Sequence, residues 1–203
     1  VTGLRRLKRQ RTHDAISAAA ISLFLERGFD EVSVAEVAAA AEVSKPTLFK
    51  YFATKEDLVL HRIADHRGEA ARVVRHRTPG VDPLDALHTH FLDGLARRDP
   101  VTGLNDDPEV IGYHRMVFST PSLVARLFHH MAADEEALAV ALGEDADDLA
   151  ARLLAAQVIA VQRVLARRNW SALAEGTSAD DAYPSAVSAA DRAFAQLRDG
   201  VHT

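Results

Sequence analysis

Apolar positions along this 203-residue chain recur at helical spacing, and nowhere in the alternation that a strand requires. The pattern is clearest between Ser33 and Asp57. Val34, Val37, Ala38 and Ala41 share one helical face. Ser33 precedes them as an N-cap, with Glu36 three residues on to close a capping box and Val32 and Val37 as the flanking staple. Ser44 caps a second helix, with Val43 and Leu48 as its staple pair. Pro46 is tolerated there because a first-turn N–H has no intrahelical partner. Thr54, with Asp57 three residues later, is a third start signal. These caps predict two short helices, a tight turn and the start of a third helix, a helix–turn–helix. Upstream, a helix from about Thr12 to Arg27, stopped by a C′ glycine at Gly28, completes a three-helix head.

The remainder also reads as helices. One long helix is predicted from Thr54 to about Arg77, roughly 35 Å at 1.5 Å per residue, before Thr78-Pro79-Gly80 stops it. Starting against the head and ending in the rest of the chain, it is a candidate lever. Asp82-Pro83 opens the next helix, carrying Leu84, Leu87, Phe91, Leu92 and Leu95. After a loop, Asp107-Pro108 opens a helix to about Ser119, and Thr120-Pro121 opens another to about Leu142. An Ala- and Leu-rich helix runs from Asp147 to about Trp170, and a last one follows near Pro184. The fold class is therefore all-α: a basic arm and helix–turn–helix over residues 1–54, and a second helical domain over residues 55–203.

In the second helix of the motif, Leu48, Phe49 and Phe52 are assigned to the core. That turns Lys45, Thr47 and Tyr51 outward, with Lys50 at the edge. A cation, a hydroxyl and a phenol behind a small Ser44 suit entry into a major groove. Lys45 and Thr47 are assigned to base edges, Tyr51 and Lys55 to phosphates, and Ser33 joins the same DNA-binding set. Taken alone, this helix fits an ordinary solvated amphipathic helix better. Charge changes the picture. Residues 1–60 hold 9 Lys/Arg against 8 Asp/Glu, whereas residues 61–203 hold 15 against 21, and all four lysines fall in the first 55 residues. That asymmetry suits a DNA-facing head on an acidic body. Arg5, Arg6, Lys8, Arg9 and Arg11 form an arm that reads either as a phosphate or minor-groove contact or as a disordered tail.

The run V-[AS]-x-V-A-x-x-A-x-V-S-x-x-T-L-F-x-Y-F-x-x-K-E-x-L, from Val34 through Leu58, resembles the N-terminal domain of the TetR family of transcriptional regulators. Ala15-Ile16, Ala19-Ala20, Leu23-Phe24 and Gly28-Phe29 fit it too, so the resemblance covers roughly residues 12–60. One departure is Glu42, where many members carry Gly. A positive φ there would cost Glu on the order of 1 kcal/mol. The resemblance implies a DNA-binding domain over residues 1–54, a helical ligand-binding and dimerisation domain over residues 55–203, and a homodimer whose last two helices form a four-helix bundle with the partner's pair. The candidate interface is Leu154, Val158, Val161, Leu165, Val187 and Phe194, residues that could equally complete a core. It also implies a small-molecule inducer bound in the second domain. Phe91, His114, Phe118, Phe128, Met131 and Gln157 are the candidate ligand set, apolar walls with a few polar groups, though an ordinary helical core would use the same residues.

Ten histidines raise the question of metal or acid–base chemistry. His88 and His90 point apart on a helix, as do His129 and His130. His61 and Asp65 are i, i+4 neighbours without a third ligand. No His-Glu-x-x-His, nucleophile elbow or phosphate-cradling glycine loop is present. Without cysteine there is neither a disulfide framework nor a thiolate site. No catalytic residue, metal or cofactor is assigned, and the chain is not expected to be an enzyme. The first residues lack the apolar core of a signal peptide, and no run reaches 18 uninterrupted apolar residues. The expectation is a cytoplasmic, ligand-responsive regulator, more often a repressor, binding a pseudo-palindromic double-stranded operator as a homodimer. Two rivals stand: an architectural DNA binder without inducer, and a helical small-molecule-binding protein with a vestigial head.

Overall fold

The computed structural model describes residues 2–64, 66–143 and 148–200; Asp65, Asp147 and the side chain of Arg5 lie outside the described residues. Among the described residues the chain forms ten α-helices and no strand. They are α1 (Thr2–Arg27), α2 (Val34–Ala40), α3 (Lys45–Phe49), α4 (Asp57–Ala64), α5 (Glu69–His76), α6 (Pro83–Ala96), α7 (Pro108–Ser119), α8 (Pro121–Leu142), α9 (Leu149–Ala174) and α10 (Ala179–Asp199). They divide into two compact units, Val1–Asp65 with Gly112–Leu127, and His66–Ile111 with Phe128–Thr203.

In the first unit, Ile16, Ile21 and Phe24 of α1 pack with Val37, Leu48, Phe52 and Leu60 in one buried cluster. Tyr113, Val117 and Leu123 from α7 and α8 belong to that cluster. Two polar ties reinforce it: the Tyr113 hydroxyl donates to the Val59 carbonyl at 2.9 Å, and Arg126 pairs with Asp57 at 3.1 Å. The basic arm is neither extended nor a tail, because α1 starts at Thr2 and runs through it. Its Arg, Lys and Gln residues are good helix formers, and the Gln10 amide donates to Asp14 one turn on at 2.8 Å.

The single long helix expected from Thr54 to Arg77 is instead two, α4 and α5. Gly68 between them has φ 63° and ψ 17°, a left-handed conformation that cannot continue an α-helix. Polar side chains close the break within the second unit. The Gly68 N–H donates to Asp134 at 2.9 Å, and Arg67 reaches His130. His66 and His90 hold the two oxygens of Glu69 at 2.5 and 3.0 Å.

The second unit is built on α6, α9 and α10, with Leu87, Phe91, Leu95, Val158, Leu165 and Phe194 buried together. The α6–α7 loop is stapled to this core. Gly103, at φ 73°, approaches α9 so closely that a Cβ would lie 2.0 Å from the Ala166 carbonyl oxygen. The buried Asn169 amide donates to the Thr102 carbonyl at 2.9 Å, and Asp106 accepts from the Ala179 N–H at 2.8 Å, where α10 begins. That start, capped by Ser178, lies five residues ahead of Pro184, which sits inside the helix. α9 is the one helix among the described residues long and apolar enough, by composition, to cross a membrane. One of its faces is buried in this core, while Leu149, Leu153 and Val164 remain exposed.

Candidate nucleic-acid interface

Both helices of the motif begin where their caps predict. The Ser33 hydroxyl accepts from the Glu36 N–H at 3.2 Å, and the Glu36 carboxylate accepts from the Ser33 N–H at 2.8 Å. Arg27 adds an ion pair to Glu36 at 2.8 Å. The Ser33 N–H, then its hydroxyl, then Arg27 hold the Glu36 carboxyl well below the usual range, at about 2. Ser44 accepts from the Thr47 N–H at 3.2 Å and shares a 2.8 Å hydrogen bond with the Thr47 hydroxyl. Ser33 and Ser44 therefore fix where α2 and α3 start.

The turn between them closes with two backbone bonds, Glu42 N–H to Ala39 carbonyl (3.1 Å) and Val43 N–H to Ala38 carbonyl (2.9 Å). That pair is a Schellman closure, which needs a left-handed residue at C′. The residue is Glu42, at φ 55°. The positive φ that glycine would take without strain is thus adopted by a glutamate.

Leu48 on α3 and Phe52, just beyond its end, are buried, but Phe49 is 44% exposed. Its assignment to the core is wrong because neighbouring residues of a helix diverge by about 100°, so Leu48 faces inward and Phe49 does not. Lys45, Phe49 and Lys50 are exposed, while Thr47 and Tyr51 are half-buried. Arg9 and Arg11 are exposed on α1, and the Arg9 guanidinium lies 5.9 Å from the Tyr51 ring centroid. The arm and the end of α3 therefore share one surface. Lys55 is differently engaged. Half-buried, it donates to the Phe29 carbonyl at 2.5 Å and lies 4.4 Å from the Phe29 ring centroid, holding the α1–α2 loop.

The ligand set is divided between the units. His114 and Phe118 lie in the first, on α7, with ring centroids 6.0 Å apart. His114 Nδ1 is buried without a hydrogen-bond partner, and burial lowers the imidazole pKa to about 4. Burial also pushes the neighbouring Tyr113 hydroxyl above its ordinary value. In the second unit Phe91 is buried near Phe194, with centroids 6.3 Å apart, and Met131 is partly buried. Phe128 and Gln157 are exposed, and Arg163 lies over the Phe128 ring at 5.7 Å.

Of the dimer set, Val158, Leu165 and Phe194 are buried in the chain's own core, and Leu154, Val161 and Val187 are partly buried against it. The exposed apolar positions of α9 are others: Leu149, Leu153 and Val164. Period alone found the apolar helix, but not that it has two apolar faces.

Residues 16–61 match the family model for bacterial regulatory proteins of the tetR family. The chain is 33% identical over 171 residues to the HTH-type transcriptional regulator TcmR of Streptomyces glaucescens, covering 81% of this chain and 76% of TcmR. Its fold is similar to that of NalD, the secondary repressor of the MexAB-OprM multidrug efflux pump in Pseudomonas aeruginosa. That likeness has a TM-score of 0.60 at 18% identity over 91% of this chain and 97% of NalD. The Bacillus subtilis regulator FadR, solved in complex with stearoyl-CoA, aligns with a TM-score of 0.55 at 16% identity over 93% of this chain and 98% of FadR. These structures establish the all-α fold with its N-terminal helix–turn–helix. The TcmR identity extends far beyond that motif, and with it the chain belongs to the TetR family of bacterial transcriptional regulators.

Proposed function

We propose that this chain is a ligand-responsive repressor that binds a pseudo-palindromic operator as a homodimer. The observation that carries the reading is the exposed face of α3, where Lys45 and Lys50 project from a helix rooted by Leu48 and Phe52. A short helix fixed at both ends and cationic on its free side is the form that enters a major groove. Lys45 and Thr47 face base edges. Lys50, Tyr51, Arg9 and Arg11 face phosphates, with Ser33 and Ser44 setting the two helix starts. Lys55 supports the same surface from behind, through the Phe29 carbonyl. Residues 1–54 supply the DNA surface, and residues 55–203 supply control and dimerisation.

Control fits the ties inside the first unit. Tyr113 and Arg126, from α7 and α8, are bonded to the Val59 carbonyl and to the Asp57 carboxylate of α4. A molecule that shifts α7 therefore acts on α4. His114 follows Tyr113 on α7, and its unpartnered Nδ1 offers such a molecule a hydrogen bond. FadR's complex with stearoyl-CoA supports a small-molecule effector. A ligand acts only through its differential affinity for the two arrangements. A coupling of about 1–3 kcal/mol weakens operator binding roughly 5–150-fold, and the operator weakens ligand binding by the same factor. The exposed Leu149, Leu153 and Val164 of α9 supply a face for the second copy.

Selection of bound fragments from the source genome, followed by sequencing, tests the reading. The expected result is paired half-sites related by a dyad, with centres about one helical turn or a multiple apart. Selected sites without a dyad, or none, would overturn it.

A further inference from the structure

We infer that His61, on α4, is a positioning residue for operator binding: it sets the end of α3 through Phe52 without itself meeting the DNA. The inference rests on the DNA-binding reading above. Three rings close on one another inside the first unit. The His13 ring of α1 stacks on Phe52, with centroids 4.5 Å apart and planes inclined by 25°. The His61 ring meets Phe52 edge-on at 5.6 Å and His13 edge-on at 5.2 Å. Phe52 lies buried just beyond α3, and its N–H donates to the Leu48 carbonyl at 3.0 Å. Whatever fixes the Phe52 ring therefore fixes the end of the helix that carries Lys45.

The His61 ring is itself oriented by hydrogen bonds, not by packing alone. Its Nδ1 lies 3.2 Å from the Leu58 carbonyl, and its Nε2 lies 2.7 Å from the Ser17 hydroxyl. A carbonyl only accepts, so in the neutral ring Nδ1 carries the proton and Nε2 accepts from Ser17. Ser17 is 3% exposed and stands 44 residues away, on α1. Asp14 holds the other imidazole, 3.2 Å from His13 Nδ1. Both nitrogens of His61 thus have partners within the protein, and the residue acts through its neighbours. An apolar side chain at position 61 would fill the space but leave the direction of the contact unset. Base readout needs its groups held to within about 0.5 Å, and the three rings tie the end of α3 to α1 and α4 at once.

The test separates position from contact. Affinity of the full-length protein is measured on the duplex obtained by genomic selection, over a range of salt concentrations, with urea midpoints recorded alongside. His61→Leu keeps the bulk and loses both the ring and the Ser17 bond. It is expected to bind roughly tenfold more weakly, about the worth of one buried hydrogen bond. Its salt slope should equal that of the wild type, because no phosphate contact is lost. Ser17→Ala deletes only the hydroxyl, stands in if His61→Leu does not fold, and should lose about as much. His61→Gln returns an acceptor to Ser17 and should recover most of the affinity, and adding Ser17→Ala to it should cancel the recovery. A slope smaller by about one would make His61 a phosphate contact and overturn the inference. A lowered urea midpoint with unchanged operator affinity would make its role one of stability alone, which also overturns it, as does a His61→Gln no better than His61→Leu or Ser17→Ala. Failure to select any duplex instead defeats the DNA-binding reading itself, so the two failures are distinguishable.

Discussion

His114 is held far from its ordinary protonation behaviour, and burial alone accounts for it. The folded imidazole titrates at about 4 against 6.5 when free. Between those values the unfolded chain binds a proton and the folded chain does not, so stability falls as pH drops from 6.5 towards 4 and levels off below. The interval corresponds to about 3 kcal/mol. His114→Leu is expected to remove this slope, so that its urea midpoint changes less between pH 7 and pH 4.5 than that of the wild type. An unchanged slope would mean that another group titrates there. The sequence marked His114 as a polar group among apolar ones, but its burial depends on how α7 packs. Phe49 and Lys55 show the same limit. The outward turn of Phe49 follows from which neighbour the core takes, and the partner of Lys55, the Phe29 carbonyl, is 26 residues away.

Elements were most legible where their signals are local. Ser33 with Glu36 and Thr54 with Asp57 are i, i+3 pairs that form their hydrogen bonds, and Ser44 caps α3 at the expected place, through the Thr47 N–H. A lone glycine within a helical pattern is a weaker signal, since helices tolerate one, so the break at Gly68 is not legible from the sequence. It is stabilised by Asp134 and His130, more than sixty residues away. The α2–α3 turn lies between these cases: its place was legible and its strain was conditional on φ. With Glu42 at φ 55°, Glu42→Gly is expected to stabilise the protein by about 1 kcal/mol, the left-handed cost less the added freedom of glycine when unfolded. The urea midpoint at constant m-value measures it. Destabilisation would mean that the Glu42 side chain makes a compensating interaction.

On the scale of the whole molecule, the apolar surface of α9 is divided between a buried face and an exposed one. α9 buries Val158 and Leu165 within its own unit and leaves Leu149, Leu153 and Val164 open. Leu149, Leu153 and Val164 repeat at intervals of four and eleven residues, which keeps them on one stripe of a 3.6-residue helix. An exposed apolar stripe of that kind suits a self-complementary contact with a second copy. The two faces then respond differently to the same charge. Leu153→Glu is expected to leave the helical content and melting curve of the monomer intact while shifting sedimentation from dimer to monomer. Operator affinity should fall with it, because each half-site then binds alone. Phe194→Glu places a carboxylate in the core beside Phe91 and the ring face of His88, whose two nitrogens already hold Asp191 and Arg198, and is expected to unfold the second unit. If Leu153→Glu sediments as an unaltered dimer, the contact between copies lies elsewhere. If Phe194→Glu folds and merely dissociates, the face that carries Phe194 is the interface instead.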